Sequence, residues 1–82
     1  MTDDSEYERE QRLIDLLATI HRGWSYEARD VPGLPRWWAY RYQAVTPAQH
    51  AAGARDVVAR TSIHRLAEAL GRHDEITHII RN

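Results

Sequence analysis

The chain predicts an α+β domain in which an N-terminal helix, a β-hairpin, a helix pair and a C-terminal strand build a small antiparallel sheet with helices on one face. Three observations carry this. Apolar residues recur at helical spacing from Leu13 to Ile20, then alternate with polar ones over 24–29 and again over 36–44. The turn-forming stretch Val31-Pro32-Gly33-Leu34-Pro35 separates the two alternating runs. Thr46-Pro47 and Thr61-Ser62 then each open a further segment with helix-start chemistry.

The first helix rests on several local signals. Ser5 and Glu8 have capping-box spacing, and the acidic residues fall in the early turns, where the helix dipole favours them. Glu8 and Arg12 form an i,i+4 pair in the favourable order, and Gly23 supplies a stop in the left-handed region. Leu13, Ile14, Leu17 and Ile20 make one apolar stripe, which Leu16 and Ala18 widen.

In the hairpin, Trp24, Tyr26 and Ala28 alternate with Ser25, Glu27 and Arg29. Trp38, Tyr40, Tyr42 and Ala44 then alternate with Trp37, Ala39, Arg41 and Gln43. Residues 36–42 hold four of the chain's seven aromatics, which favours a strand. A helix beginning near Pro35 competes with it, because Trp38, Tyr42 and Val45 also fall at helical spacing.

Thr46 as N-cap with Pro47 in the first turn starts the next helix. That helix is alanine-rich, with Val57 and Val58 on its packed side, and Gly53 marks a close backbone approach within it. From Thr61-Ser62 a second helix carries Ile63, Leu66, Ala67 and Leu70 inward and stops at Gly71. The β-branched run Ile76-Thr77-His78-Ile79-Ile80 reads as the final strand, with a short helix capped by Asp74 as the alternative. The expected core is Leu13, Ile14, Leu17, Ile20, Trp38, Tyr40, Val58, Leu66 and Leu70.

Eighty-two residues (1–82) make a single domain. A chain this short buries only about 60–65% of the surface its unfolded form exposes, so small domains often recruit a disulfide, a metal or a second subunit. There is no cysteine, which leaves self-association as the open route. The net charge is −1, too balanced for a domain that binds nucleic acid through its overall field. All eleven basic residues are arginine, and five of the first ten residues are acidic. No apolar run approaches the roughly 18–20 residues of a membrane span, and no basic flank leads into an apolar signal core, so the expectation is a cytoplasmic protein.

Catalytic and metal-binding patterns are weak, and the chain is expected to carry no cofactor, no metal and no enzymatic activity. His73 and His78 stand five apart, whereas a helical metal pair needs four. None of the three serines lies in a Gly-x-Ser-x-Gly elbow, and there is no Gly-rich phosphate loop. The adjacent carboxylates Asp3-Asp4 and Asp74-Glu75 suit helix starts or turns better than an acid/base pair, which needs two distinct environments.

Two patterns bear on binding. Leu66-Ala67-Glu68-Ala69-Leu70-Gly71 resembles the first helix and turn of a helix-turn-helix spanning 62–81, although Arg72 and Thr77 depart from its apolar positions and Asp74 and Glu75 would face phosphates. In the strand at 36–42, Arg36 and Arg41 interleave with aromatics, a composition shared by base-stacking platforms and by protein hot spots. The segments Gly-Trp-Ser-Tyr (23–26), Arg-Trp-Trp-Ala-Tyr-Arg-Tyr (36–42) and Thr-Pro-Ala-Gln (46–49), in a lysine-free chain, resemble small uncharacterised proteins of actinobacteria and their bacteriophages. That resemblance implies an accessory protein that binds a host or self component, and it carries no catalytic residues over.

The expected function is therefore a small non-enzymatic binding module acting through protein–protein interaction. Nucleic-acid binding by the helix-turn-helix or by the Arg/aromatic strand is the alternative. Expected partner-binding residues are Leu16, Arg36, Trp37 and Arg41. A homodimer is expected through the first helix, Trp37 or both, because Leu16 and Trp37 exceed what one sheet face can cover. A heterologous protein is the other partner expected, with no membrane contact.

Overall fold

The computed structural model describes residues 2–82, with side chains from Tyr7 onward. Its elements run α1 (Thr2–Ile20), β1 (Trp24–Ala28), β2 (Trp37–Arg41), α2 (Pro47–Ala51), β3 (Val57–Arg60) and α3 (Ile63–Ile79). The three strands form one antiparallel sheet in the order β1-β2-β3. In register, Tyr26 lies opposite Ala39, and Ala39 opposite Val58. α1 packs on β1, α3 packs on β2 and β3, and the two helices touch each other. The α+β class, the small antiparallel sheet and the hairpin hold.

α1 begins at Thr2, so Ser5 stands inside its first turns, and the proposed cap there lies outside the described side chains. Leu17 is the buried centre of the helix, with Leu13 and Ile14 packed beside it. Ile20, expected in the core, is the last residue of α1 and is 61% exposed. Gly23 does not take the left-handed conformation; positive φ falls on Gly33 and Gly53. At Gly33 (φ +85°) it serves the hairpin loop, where Pro32-Gly33 fills the two central positions that a type II turn prescribes and Leu34 N–H donates to the Val31 carbonyl at 3.1 Å.

The largest correction concerns residues 52–60. The expected alanine-rich helix ends after five residues at Ala51, and Gly53 (φ +110°) turns the chain into β3. Val57-Val58, read as one side of a helix, are β-branched residues that pair with Tyr40 and Ala39. A two-stranded hairpin is marginal alone, and β3 supplies the third strand.

The second correction is at the C-terminus. Ser62 caps α3 as expected, accepting from Arg65 N–H, but Gly71 does not stop the helix, which continues to Ile79. Hence there is no C-terminal strand, and no helix-turn-helix exists at 62–81. Helical spacing places Leu66, Ala69 and Leu70, all fully buried, and then His73 and Asp74 against the sheet. Those contacts outweigh the strand preference of the β-branched tail.

The third correction inverts the strand faces. Trp24, Trp37, Ala39, Val58, Ile63, Leu66, Ala69, Leu70 and Leu17 form the core. Trp38 and Tyr40, expected inside, alternate with the core positions on β2 and are half-buried on its other face.

Candidate functional site

The uncovered sheet face is built by the positions of β1 and β2 that alternate with the core. Trp38 and Tyr40 lie along β2 with their rings stacked, centroids 6.4 Å apart and planes 15° from parallel. Register sets Glu27 across from Trp38 on one side, and Val57 across from Tyr40 on the other. Arg29, just past β1, folds back so that its guanidinium sits 4.4 Å above the Trp38 ring. Its Nη2 donates to the Tyr40 hydroxyl at 2.6 Å and its Nε to Glu27 Oε2 at 3.2 Å. The Tyr40 hydroxyl in turn donates to Glu27 at 2.8 Å.

These bonds shift the ionisable groups in a consistent way. The bonds from Tyr40 and then Arg29 hold the Glu27 carboxyl below its ordinary range. Desolvation first, and the bond to Glu27 second, push the Tyr40 phenol up. Trp38 Nε1 donates to the Pro35 carbonyl at 2.7 Å, which fixes the indole orientation. The result is a flat aromatic surface with a neutralised charge pair at its rim. Such a surface matches the rigid aromatic anchors that dominate protein hot spots.

A second cluster lies under the helices. Trp24 is 2% exposed, and its Nε1 donates to Asp74 Oδ1 at 3.0 Å. His21, just after α1, contacts the other carboxylate oxygen of Asp74 at 2.5 Å. The Arg41 guanidinium stacks 4.1 Å from the Trp24 ring and reaches 4.0 Å from Asp74, while Nε donates to the Arg55 carbonyl. His73 meets Trp24 edge-on and accepts from Arg55 N–H at 3.1 Å. Burial first, and then the charge of Arg41, keep His73 below the ordinary histidine value. Tyr26 donates to the carbonyls of Leu17 and His21, and its burial beside Asp74 pushes its phenol up to about 12. Asp74 thereby joins the end of α1, β1 and α3.

The four expected partner-binding residues do not form one surface. Leu16 is 54% exposed on α1, as expected of a contact residue. Arg36 is exposed at the hairpin end, paired with Glu10 of α1 at 3.4 Å, with its guanidinium over Trp37. Trp37 is 5% exposed and belongs to the core, so it cannot meet a partner. Arg41 points under α3 beside Asp74 rather than outward. Trp38, Tyr40 and Arg29, all half-buried, make the aromatic surface on the other sheet face instead. The signal that could have found it is the hairpin parity: once Trp24 and Tyr26 are inward, their partners Arg41 and Ala39 are inward too, and Trp38 is outward.

Among the described residues, no group of three or more His, Asp or Glu side chains is placed to hold a metal ion, and no helix is long and apolar enough to cross a membrane. Comparison of the chain with protein-family models, curated proteins and solved structures gives no match.

Proposed function

We propose that this chain is a small non-enzymatic binding module that docks a protein through the open face of its sheet. The observation that carries the reading is the stacked, half-buried Trp38–Tyr40 pair on the sheet face away from the core cluster. Burying such a pair against a partner would add an aromatic anchor of the kind that dominates interface energy. The state of the arginines favours protein over nucleic acid. Arg29 is engaged by Glu27, Arg36 by Glu10, and Arg41 is buried. A single-strand platform needs free cations beside its aromatics to follow the phosphates. A cytoplasmic accessory role, as the actinobacterial and phage resemblance implies, belongs to the same reading.

The test is capture from lysate of cells that naturally make the protein, with the native chain and Trp38→Ala as parallel baits. One stoichiometric protein, retained after nuclease treatment and lost from the Trp38→Ala bait, supports the reading. Recovery that nuclease abolishes, or binding that falls steeply with salt, transfers the face to nucleic acid.

Self-association through α1 is the second part of the proposal, and it rests on Leu16 and Ile20, both more than half exposed on that helix. A two-fold dimer is the commonest closure for such a surface. Sedimentation at high micromolar concentration should give a dimer, and Leu16→Glu a folded monomer. A monomeric native chain would leave Trp38 as the sole docking centre.

A further inference from the structure

Arg41 is the most constrained ion in the molecule. Its side chain is only 9% exposed, and arginine does not escape burial by losing its proton. Nε is bonded to the Arg55 carbonyl, the guanidinium carbon lies 4.1 Å from the Trp24 ring centre, and Asp74 stands 4.0 Å from Nη1. Nη2 is buried and has no partner among the described residues. A buried charged donor left without an acceptor is costly, and folded proteins ordinarily supply one.

Asp74 is not free to supply it. One of its carboxylate oxygens accepts from Trp24 and the other faces the His21 ring. The Arg55 carbonyl already serves Nε. Arg41 lines a cleft of about 650 Å³ between the hairpin base and the C-terminal half of α3, walled by Gly23, Thr46, Gln49, Asp74, Thr77 and Arg81. That volume lies within the roughly 300–1,000 Å³ of small-molecule sites.

The charges and donors of the cleft are of one kind. Arg41 and Arg81 outnumber the one carboxylate, whose oxygens are engaged. Arg81 is exposed, and its Nε reaches only the nearby His78 carbonyl, at 3.3 Å. The Thr46 hydroxyl accepts from Gln49 N–H and keeps its own hydrogen to give. Buried donor, exposed cation and hydroxyl together lack an acceptor with several lone pairs.

We propose that this cleft binds a small molecule through an oxyanion, carboxylate or phosphate, received by Arg41 at the base and Arg81 at the mouth. The site is separate from the docking face, since neither Trp38 nor Tyr40 lines it. Guanidinium groups suit such oxyanions because their planar forks match the oxygen geometry.

The test titrates the protein with sodium phosphate and, separately, sodium acetate at constant ionic strength, following backbone amide NMR shifts. Saturation by either anion, with a Kd on the order of millimolar and shifts centred on Gly23, Ala44 and Thr77, is the expected result. Phosphate saturating where acetate does not identifies a phosphate ligand, and the reverse a carboxylate. Arg81→Gln should weaken binding about tenfold, the equivalent of one charge-assisted hydrogen bond, and Arg41→Gln should abolish it. Trp38→Ala should leave it unchanged, so failure of the docking reading does not touch this one. Linear, unsaturated shifts with both anions would overturn the proposal and assign Nη2 an ordered water. So would saturation that Arg81→Gln does not weaken, which decides the matter even if Arg41→Gln fails to fold.

Discussion

Of the three arginines that sit over tryptophan rings, Arg29 and Arg41 have surroundings that differ in almost every other respect. Arg29 covers Trp38 on the open face at 4.4 Å, with Tyr40 and Glu27 as hydrogen-bond partners and solvent alongside. Arg41 covers Trp24 on the helix-covered side at 4.1 Å, with its side chain 9% exposed and one amino group left without a partner among the described residues. The same pairing is decorative to stability in the first place and structural in the second. Exposed cation–π contacts contribute about 0.5–1 kcal/mol, whereas desolvated ones contribute more and tolerate fewer errors. The open face is therefore free to serve a protein partner, while the Trp24 contact of Arg41 is committed to the fold.

Truncating the two rings should separate the regions most sharply. Trp24→Ala removes a nearly fully buried indole and an Asp74 partner, and should cost about 3–5 kcal/mol in chemical denaturation. Trp38→Ala should cost only ~1 kcal/mol, the worth of one stacked, cation-capped surface aromatic. Equal losses would break the comparison.

Asp74→Asn tests the covered cluster without changing its volume. It leaves Arg41 without its nearby anion and His21 without a carboxylate, and should cost about 1–3 kcal/mol by the same measurement.

Acidification should separate the two regions again, by pH rather than by volume. His73 has its folded-state value depressed, so below about pH 6.5 the unfolded chain binds a proton that the folded one refuses. The stability tied to neutral His73 is complete above that pH and is lost as pH falls through the folded value. Protonation would also break the bond in which Nδ1 accepts Arg55 N–H. Denaturation midpoints should fall between pH 7 and pH 5, and His73→Asn should flatten that slope. Glu27 is likewise depressed, by Tyr40 and then Arg29, but from a carboxylate starting value. The open-face network should thus survive to lower pH, read from the Tyr40 and Trp38 side-chain signals.

The smallest effect is a gain. Gly71 sits inside α3, and a Cβ there would meet nothing within 4 Å. Gly71→Ala should stabilise the protein by ~0.5–1 kcal/mol in thermal unfolding while leaving both Arg–Trp pairs alone.

Gly71 also shows where sequence reading works and where it fails. Local signals at 46–49 and 62–65 located two helix starts correctly, because a cap is a bond between residues three apart. The hairpin was legible for the same reason: its turn and its alternation are both short-range. Stop signals are weaker, since a glycine permits a turn without compelling one, and α3 runs through Gly71 under contacts made with strands far back in the chain. Val57-Val58 lay in an alanine-rich stretch whose local preference suited a helix, while β2 needed a third strand. The inversion of β2 is the most instructive case. Alternation is equally regular in either phase, and the heavier set, Trp38 and Tyr40, is the one left outside. Ala39, fully buried, lies in the core cluster with Leu66, Ala69 and Leu70 of α3. The exposure of Leu16 was readable from an over-wide apolar stripe. The cluster around Asp74 was not, because its partners His21 and Trp24 lie 53 and 50 positions away.

Gln49 ties two distant parts of the chain together. It completes the capping box with Thr46 that holds α2, a helix of five residues too short to persist alone. Its Nε2 also donates to the Ile80 carbonyl, 31 positions later and just past the end of α3. One buried amide thus latches the crossover between β2 and β3 to the tail. Opening either end costs the other this bond, so the two segments should behave as one unit of local unfolding, which joint exchange of their amide hydrogens would show. A load applied at the C-terminus, as by a fused domain, would be felt first at the crossover in the middle of the chain.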